Sequence, residues 1–130
     1  MKYFTLKQAE KAISKLEEIL TLANDIRNRA QSKTKFIQET EERGTKDIAA
    51  MAIEKAQVEF LAQCFQDALE EIEKMGAVLK GIDPGLVDFP CRFSNETVYL
   101  CWRQGEKSIN NYHSMDEGFA GRKPLPKSLV

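Results

Sequence analysis

The sequence lacks the features of membrane proteins and of nucleic-acid-binding proteins. No apolar run approaches the length needed to cross a bilayer, and the first residues lack the apolar stretch of a signal peptide. Positive charge is not in excess, because 19 Lys and Arg face 20 Asp and Glu that are mixed along the chain. Nucleic-acid binding requires concentrated positive charge. We therefore expect a cytoplasmic protein that binds neither membranes nor nucleic acids.

Cysteine and histidine are also scarce. The cysteines are Cys64, Cys91 and Cys101, which form no CxxC pair, and His113 is the only histidine. A zinc cage built from Cys and His needs closely spaced ligand pairs, so the spacing argues against such a site. We expect reduced thiols that pack as small apolar side chains.

The first half of the chain has the periodicity of a long helix. Thr5 and Gln8 have the spacing of a capping box, which satisfies free N–H groups at a helix N-terminus. No Gly or Pro interrupts residues 6–43, so we predict a first helix over residues 6–42. Its apolar seam alternates steps of four and three and consists of Ala12, Leu16, Ile19, Ala23, Ile26, Ala30 and, beyond Lys33, Ile37.

Gly44 interrupts this pattern, and Thr45 is predicted to cap a second helix over residues 46–75, with Asp47 in its first turn. The short link predicts an antiparallel helical hairpin. One continuous helix through Gly44 is the alternative, and it is disfavoured because glycine costs about 1 kcal/mol inside a helix. The second helix has two apolar stripes, which indicates more than one packing partner. One stripe is Met51, Val58, Leu61, Phe65, Ala68, Ile72 and Met75, and the other is Ala49, Ile53, Ala56, Phe60 and Cys64.

The apolar period changes from 3.6 to 2 after a predicted turn at residues 82–85. Two alternating segments, residues 87–93 and 98–103, predict a β-hairpin with the apolar side chains of both strands on one face. Pro90 indicates that its first strand lies at a sheet edge. We predict a four-residue loop over residues 94–97. That loop pairs Phe93 with Val98, Arg92 with Tyr99, Cys91 with Leu100, Phe89 with Trp102 and Asp88 with Arg103.

The C-terminal part has little periodicity. Residues 109–113 are a candidate third strand, and residues 118–122 predict a tight loop anchored by Phe119. The predicted fold class is α+β in a single domain over residues 1–130. A long antiparallel helical hairpin occupies residues 1–80, a small antiparallel β-hairpin or sheet with a Gly-rich loop occupies residues 81–122, and residues 123–130 form an extended tail.

Several short motifs recur in a recognisable order. They are YFTL at residues 3–6 with Ala9, GLVDFP at 85–90, VYLCWR at 98–103, GE at 105–106, His113, GFAGR at 118–122 and PL at 124–125. With these motifs the chain resembles a bacterial family known only as domain of unknown function 2203. Tyr112 stands where a tryptophan is expected, and the first helix lacks an early proline. The resemblance implies a fold and a set of motif residues, but no activity.

Polar residues in these motifs have the chemistry of a small-molecule or anion site. Arginine offers a planar fork to carboxylate or phosphate, and an imidazole titrates near neutrality. A glycine-flanked loop can also present backbone N–H groups to an anion. The candidate ligand-binding residues are Asp88, Arg103, Glu106, His113 and Arg122, with Asp116 and Glu117 nearby.

The same residues also have structural interpretations. Asp88 and Arg103 have the positions of a cross-strand ion pair. The structural alternative for His113 is a hydrogen-bonded structural residue, and for Arg122 it is a cap for carbonyls of its own loop. Trp102 and Phe119 are predicted core anchors rather than a platform for a ligand.

No catalytic residue is assigned. Cys101 lies on the predicted face of Asp88, but nothing near it has the spacing of a nucleophile and its base. A metal site built from Asp88, Glu106, His113 and Asp116 lacks helix-spaced ligand pairs. We therefore predict neither a metal nor a cofactor.

Two functions follow from the sequence. The first, which we favour, is an interaction or regulatory protein that forms a homodimer through its helical hairpin. The apolar stripe over residues 49–64 would be covered by a second copy in a four-helix arrangement, unless the first helix or the C-terminal tail covers it. The second is a small-molecule or anion-binding protein, a class that includes enzymes, whose polar site is formed by the C-terminal motif residues.

Overall fold

The structure, a computed structural model, describes residues 1–126 and has the predicted α+β fold. Two long helices, α1 (Leu6–Glu42) and α2 (Ile48–Lys74), precede a five-stranded antiparallel sheet. The strands are β1 (Val78–Ile82), β2 (Gly85–Phe93), β3 (Glu96–Arg103), β4 (Asn111–Ser114) and β5 (Lys123–Pro124). A short 3-10 helix spans Phe119–Gly121. Part of the tail predicted over residues 123–130 is strand β5, and residues 127–130 lie outside the described residues.

The two helices have the predicted bounds within a few residues. The capping box is confirmed, because Thr5 Oγ1 accepts a hydrogen bond from the Gln8 N–H and Gln8 Oε1 accepts one from the Thr5 N–H. The cap predicted for α2 is wrong. Asp47 is the N-cap, and its carboxylate accepts the Ala50 N–H at 3.0 Å. Gly44 follows the C-cap Arg43 and has a φ of +78°, a left-handed conformation that ends α1. Glycine adopts this conformation readily, whereas other residues rarely do.

The helices form an antiparallel hairpin, as predicted. Lys33 Nζ lies 2.9 Å from Glu54 Oε2, and Lys55 Nζ lies 2.6 Å from Glu41 Oε1 near the tip. Within residues 1–126, neither helix is long and apolar enough to span a membrane. The seam between the helices buries Leu16, Ile19, Ala23, Ile26, Leu61, Ala68 and Ile72.

The five strands form a meander in the order β1-β2-β3-β4-β5. Strand β1 was not predicted, since residues 76–80 were assigned to the end of the helical hairpin. The candidate strand over residues 109–113 is confirmed as β4, shifted toward the C-terminus. The turn predicted at residues 82–85 joins β1 to β2.

The predicted register of the β2–β3 hairpin is wrong by two residues. The loop has only two residues, Ser94 and Asn95, with φ values of 50° and 63°. Positive φ at both positions is the type I′ turn, whose twist matches that of a β-hairpin. Glu96 and Thr97 therefore belong to β3 rather than to the loop. The observed pairs are Cys91 with Val98, Phe89 with Leu100, Val87 with Trp102, Asp88 with Cys101, Arg92 with Thr97 and Leu86 with Arg103.

The predicted choice of faces survives this shift, because moving by two residues keeps every side chain on its side of the sheet. The apolar side chains of β2 and β3 pack on the helices, with Phe89 and Trp102 fully buried. The edge position predicted from Pro90 is wrong, since β2 lies between β1 and β3. Pro90 is tolerated because the pairing of β1 with β2 stops at Val78, the first residue of β1, which lies opposite Asp88. Beyond that point the Pro90 carbonyl accepts the N–H of Phe4.

A second face of α1, not predicted, packs on the sheet and its loops. Ala9, Ile13 and Leu20 are buried there. Carboxylates on this side of the helix accept backbone N–H groups from the loop after β3. Glu17 accepts from Gly105 at 2.8 Å, and Glu10 accepts from Ile109 at 3.0 Å. The loop after β3 is thereby held against α1.

Candidate functional site

A buried polar cluster lies on the face of the sheet opposite the helices. Asp88 on β2 is directly opposite Cys101 on β3. His113 on β4 is opposite Tyr99, two residues from Cys101 on the same face of β3. Asp88, Cys101 and His113 are each no more than 2% exposed. Three neighbouring strands thus bring a carboxylate, a thiol and an imidazole together.

Hydrogen bonds fix the orientation of the imidazole. His113 Nδ1 lies 2.8 Å from the Ser114 carbonyl oxygen, which can only accept, so Nδ1 carries a proton. His113 Nε2 lies 3.0 Å from Asp88 Oδ1. A hydrogen bond at that contact requires one further proton, on either the carboxyl or the imidazole. The Asp88–His113 pair therefore shares one proton between Oδ1 and Nε2.

Burial controls the acidity of this cluster. It raises the pKa of Asp88 above its usual value, an effect that the nearby His113 and Lys80 partly offset. Burial, reinforced by the Asp88 carboxylate, raises the pKa of the Cys101 thiol to about 11. Because nucleophilic cysteines need a lowered pKa, Cys101 as it stands is a protonated thiol rather than a nucleophile.

The cluster has the donor set of a cation site. Asp88, Cys101 and His113 each offer one ligand atom, and these atoms all lie within 4.8 Å of one another. Oxygen, sulfur and nitrogen are the ligand atoms that zinc takes in proteins. The arrangement differs from the ligand set weighed in the sequence, because Cys101 takes part instead of Glu106 and Asp116.

A second polar pair lies beside the cluster. Arg122 donates from one nitrogen to both carboxylate oxygens of Glu106 at 3.1 Å, and to the Cys101 carbonyl at 3.4 Å. Glu106 also accepts the Arg103 N–H at 2.7 Å. The guanidinium carbon lies 4.6 Å from the ring centroid of Phe119. An anion that bound Arg122 would compete with Glu106 for its guanidinium.

The side chains of the candidate residues thus form two separate pairs. Asp88 contacts His113, and Glu106 contacts Arg122. The Asp88–Arg103 ion pair is wrong, because Arg103 is opposite Leu86 and its side chain is exposed. Asp116 is exposed, whereas Glu117 accepts hydrogen bonds from Ser114 and lies 3.4 Å from Lys123.

Two structural interpretations of the loop residues also change. Arg122 bonds the carbonyl of Cys101 on β3, not a carbonyl of its own loop. Phe119 is 37% exposed and is not a core anchor, whereas Trp102 is one. The sequence-based site left out two residues, Cys101 and Lys80. Cys101 could have been included, because it was predicted to share a face of the sheet with Asp88. Lys80 could not, because strand β1 was not predicted.

A groove runs along the helical hairpin at a distance from the polar cluster. Its volume is about 690 Å³. Leu22 is 54% exposed and Phe60 is 69% exposed on its walls. The other apolar lining residues are Ile19, Ile26, Leu61, Cys64 and Ala68. This groove includes part of the second stripe predicted on α2.

Comparison with known families accounts for the motifs in the sheet and its loops. A family model described as "Uncharacterized conserved protein (DUF2203)" matches residues 2–125. The chain belongs to the DUF2203 family. Neither the curated proteins nor the solved structures include a match to the chain.

The motifs by which the chain resembles DUF2203 have clear physical roles. Phe4 packs edge-on against Phe89 with ring centroids 5.1 Å apart, so the opening motif is fixed to the GLVDFP motif. Trp102 Nε1 donates to the Glu106 carbonyl at 2.9 Å. A Cβ on Gly85 would lie 2.8 Å from Leu20 Cδ1, so glycine allows β2 to begin close to α1. In this DUF2203 chain the motif residues converge on the sheet and on its contact with α1.

Proposed function

We propose that this DUF2203 protein is a homodimerising interaction or regulatory module that associates through its helical hairpin. The observation that carries the proposal is the apolar groove between the helices, with the large side chains of Leu22 and Phe60 exposed on its walls. Contiguous exposed apolar surface is uncommon on soluble monomers and marks interaction sites.

The apolar surface continues beyond the groove along α2. Ile53 is 60% exposed, and Ala49 and Ala56 on the same stripe are also exposed. Within the described residues, neither α1 nor the segment up to residue 126 buries this stripe. Small alanine side chains permit close approach of a helix from a second copy, and two hairpins would then form a four-helix arrangement.

The charges at the ends of the groove favour a second copy as the occupant. Because the helices are antiparallel, Arg29 and Lys33 line one end, where Lys33 is paired with Glu54, and Asp67 and Glu71 line the other. Ile26 on α1 and Leu61 on α2 line both this groove and a second groove on the other side of the hairpin. The two residues therefore lie at the same height along the helix axes. Arg29 and Asp67 are then separated by roughly 13 Å along the axis at 1.5 Å per residue.

When two hairpins face each other across a two-fold axis that is perpendicular to the length of the groove, opposite ends of the two grooves meet. The basic end of one copy would then face the acidic end of the other, and the apolar walls would meet between them. A two-fold interface must be self-complementary in this way, because each patch contacts its own copy. Charge complementarity of this kind selects the partner and the orientation more than it adds affinity.

Light scattering on the purified protein tests the proposal. We expect a mass of twice 14.8 kDa at micromolar concentration. The Leu22→Asp/Phe60→Asp double variant should be monomeric and folded, because both side chains are exposed in the single chain and two buried carboxylates per copy would disfavour the interface.

Met115→Asp is the matched control, because Met115 is an exposed apolar side chain after β4, away from the hairpin. This variant should stay dimeric. A wild-type mass of 14.8 kDa would contradict the proposal, and so would a dimer that survives the double substitution.

We further propose a cytoplasmic location for this module. Its support is that Cys64, Cys91 and Cys101 form no disulfide with one another in the structure. Thiols stay reduced in the cytosol, whereas secreted domains of this size more often form disulfides.

A further inference from the structure

We propose that Asp88, Cys101 and His113 form a binding site for a divalent transition-metal cation of the zinc type. The three ligands would be a carboxylate oxygen, a thiolate sulfur and the Nε2 nitrogen of the imidazole. The site is independent of the proposed dimer interface, since it lies on the sheet face opposite the helices.

The distances are close to those that a cation requires. Zinc bonds of about 2.0–2.3 Å in a tetrahedral site place ligand atoms roughly 3.3–3.7 Å apart. Asp88 Oδ1 and His113 Nε2 are 3.0 Å apart, and no pair of the three ligand atoms is more than 4.8 Å apart. Small side-chain rotations on three adjacent strands would bring the atoms to those separations.

The imidazole is already oriented as a metal ligand. His113 Nδ1 donates to the Ser114 carbonyl, and this leaves Nε2 directed at Asp88 Oδ1, 3.0 Å away. Metal-binding histidines almost always donate their other N–H to a carboxylate or a backbone carbonyl, which fixes the ring and its tautomer.

Charge balance also favours a dication in this buried place. A dication held by a Cys101 thiolate, an Asp88 carboxylate and a neutral His113 imidazole gives a site without net charge. Binding would therefore avoid the high cost of adding charge to an interior.

The charges of neighbouring side chains are compatible with a bound dication. Lys80 faces the cluster from β1, and its ammonium lies 5.1 Å from the Tyr99 ring centroid. Arg122 faces it from the C-terminal segment and is neutralised by Glu106. Among the described residues, Lys80 is therefore the one neighbouring charge that would repel a bound cation.

Titration with cobalt(II) tests the site directly in the full chain, after treatment with a chelator. Cobalt bound by a thiolate gives a sulfur-to-metal charge-transfer band in the near ultraviolet. We expect this band at one cobalt per chain, its loss when zinc is added, and a melting temperature that rises with zinc.

Variants identify the ligands. Cys101→Ser should abolish the band and lower zinc affinity by about 100-fold or more, and Asp88→Asn or His113→Gln should lower it by at least about 10-fold. Cys64→Ser is the matched control and should bind as the wild type does, since Cys64 lies on α2. Circular dichroism of each variant checks that it is folded.

The wild-type titration decides the proposal even if a variant fails to fold. Absence of a stoichiometric charge-transfer band in the wild type would overturn it. A band that persists in Cys101→Ser, or that Cys64→Ser removes, would also overturn it, because the metal would then bind elsewhere. In those cases Asp88, Cys101 and His113 form a structural hydrogen-bonded cluster.

Discussion

Trp102→Ala is expected to lower the free energy of unfolding by about 3–5 kcal/mol, the cost of removing a large aromatic side chain from a packed core. Trp102 is fully buried between the sheet and the helices. The substitution also leaves the Glu106 carbonyl without the indole N–H, which donates to it at 2.9 Å. Since a domain of this size is typically stable by only 5–15 kcal/mol, this loss is a large share of the total.

Denaturant unfolding at one fixed protein concentration measures this effect, because association would otherwise alter the apparent stability. Phe119→Ala is the informative control. The sequence predicts both aromatic residues as anchors, but Phe119 is 37% exposed, so its loss should cost less than about 1 kcal/mol. Equal costs for the two substitutions would contradict the observed packing.

Breaking the Asp88–His113 pair is also expected to lower the free energy of unfolding strongly. In metal-free protein, Asp88→Ala or His113→Ala alone should each lower the free energy of unfolding by about 3 kcal/mol. Each substitution leaves a buried polar partner whose hydrogen bond at 3.0 Å is lost and which water cannot easily reach.

A double-mutant cycle tests whether the loss belongs to the pair. Asp88→Ala/His113→Ala removes both partners, so it should cost less than the sum of the single variants by about 1 kcal/mol or more. Chemical unfolding in the presence of a chelator keeps metal out of the comparison. Additive costs would show that the two side chains do not stabilise one another.

The helical hairpin could be predicted because its signals are local. The capping box of Thr5 and Gln8, the regular spacing of apolar residues and the break at Gly44 each act within a few positions of the chain. The second buried face of α1 was not predicted. Its residues, including Ala9 and Ile13, are buried only because a sheet formed from distant parts of the chain packs on them.

The errors in the sheet have a physical origin of the same kind. Strand β1 is too short and too close to the end of α2 to show a clear apolar period of two residues. The register depended on whether the Ser94–Asn95 turn was tight, and the positive φ of both residues decided it. The choice of faces was robust because any shift by an even number of residues preserves it.

The candidate site was predicted only in part. Asp88 and His113 were both named, yet the four-residue loop assigned Arg103 as the partner of Asp88. The tighter turn places Cys101 there instead. The contact of His113 with Asp88 depends on the pairing of β4 with β3, which the sequence indicates only weakly because β4 has four residues.

The most direct test of the proposed dimer reverses charges at the two ends of its groove. Arg29→Glu puts a carboxylate at the basic end, and Asp67→Arg puts a guanidinium at the acidic end, whereas Lys33 is kept because it pairs with Glu54. Each variant alone should be a monomer of 14.8 kDa by light scattering, because like charges would meet twice across the two-fold axis. An equimolar mixture should recover twice that mass, since both contacts then pair opposite charges. Variants that remain dimeric alone, or a mixture that stays monomeric, would contradict the proposed two-fold association.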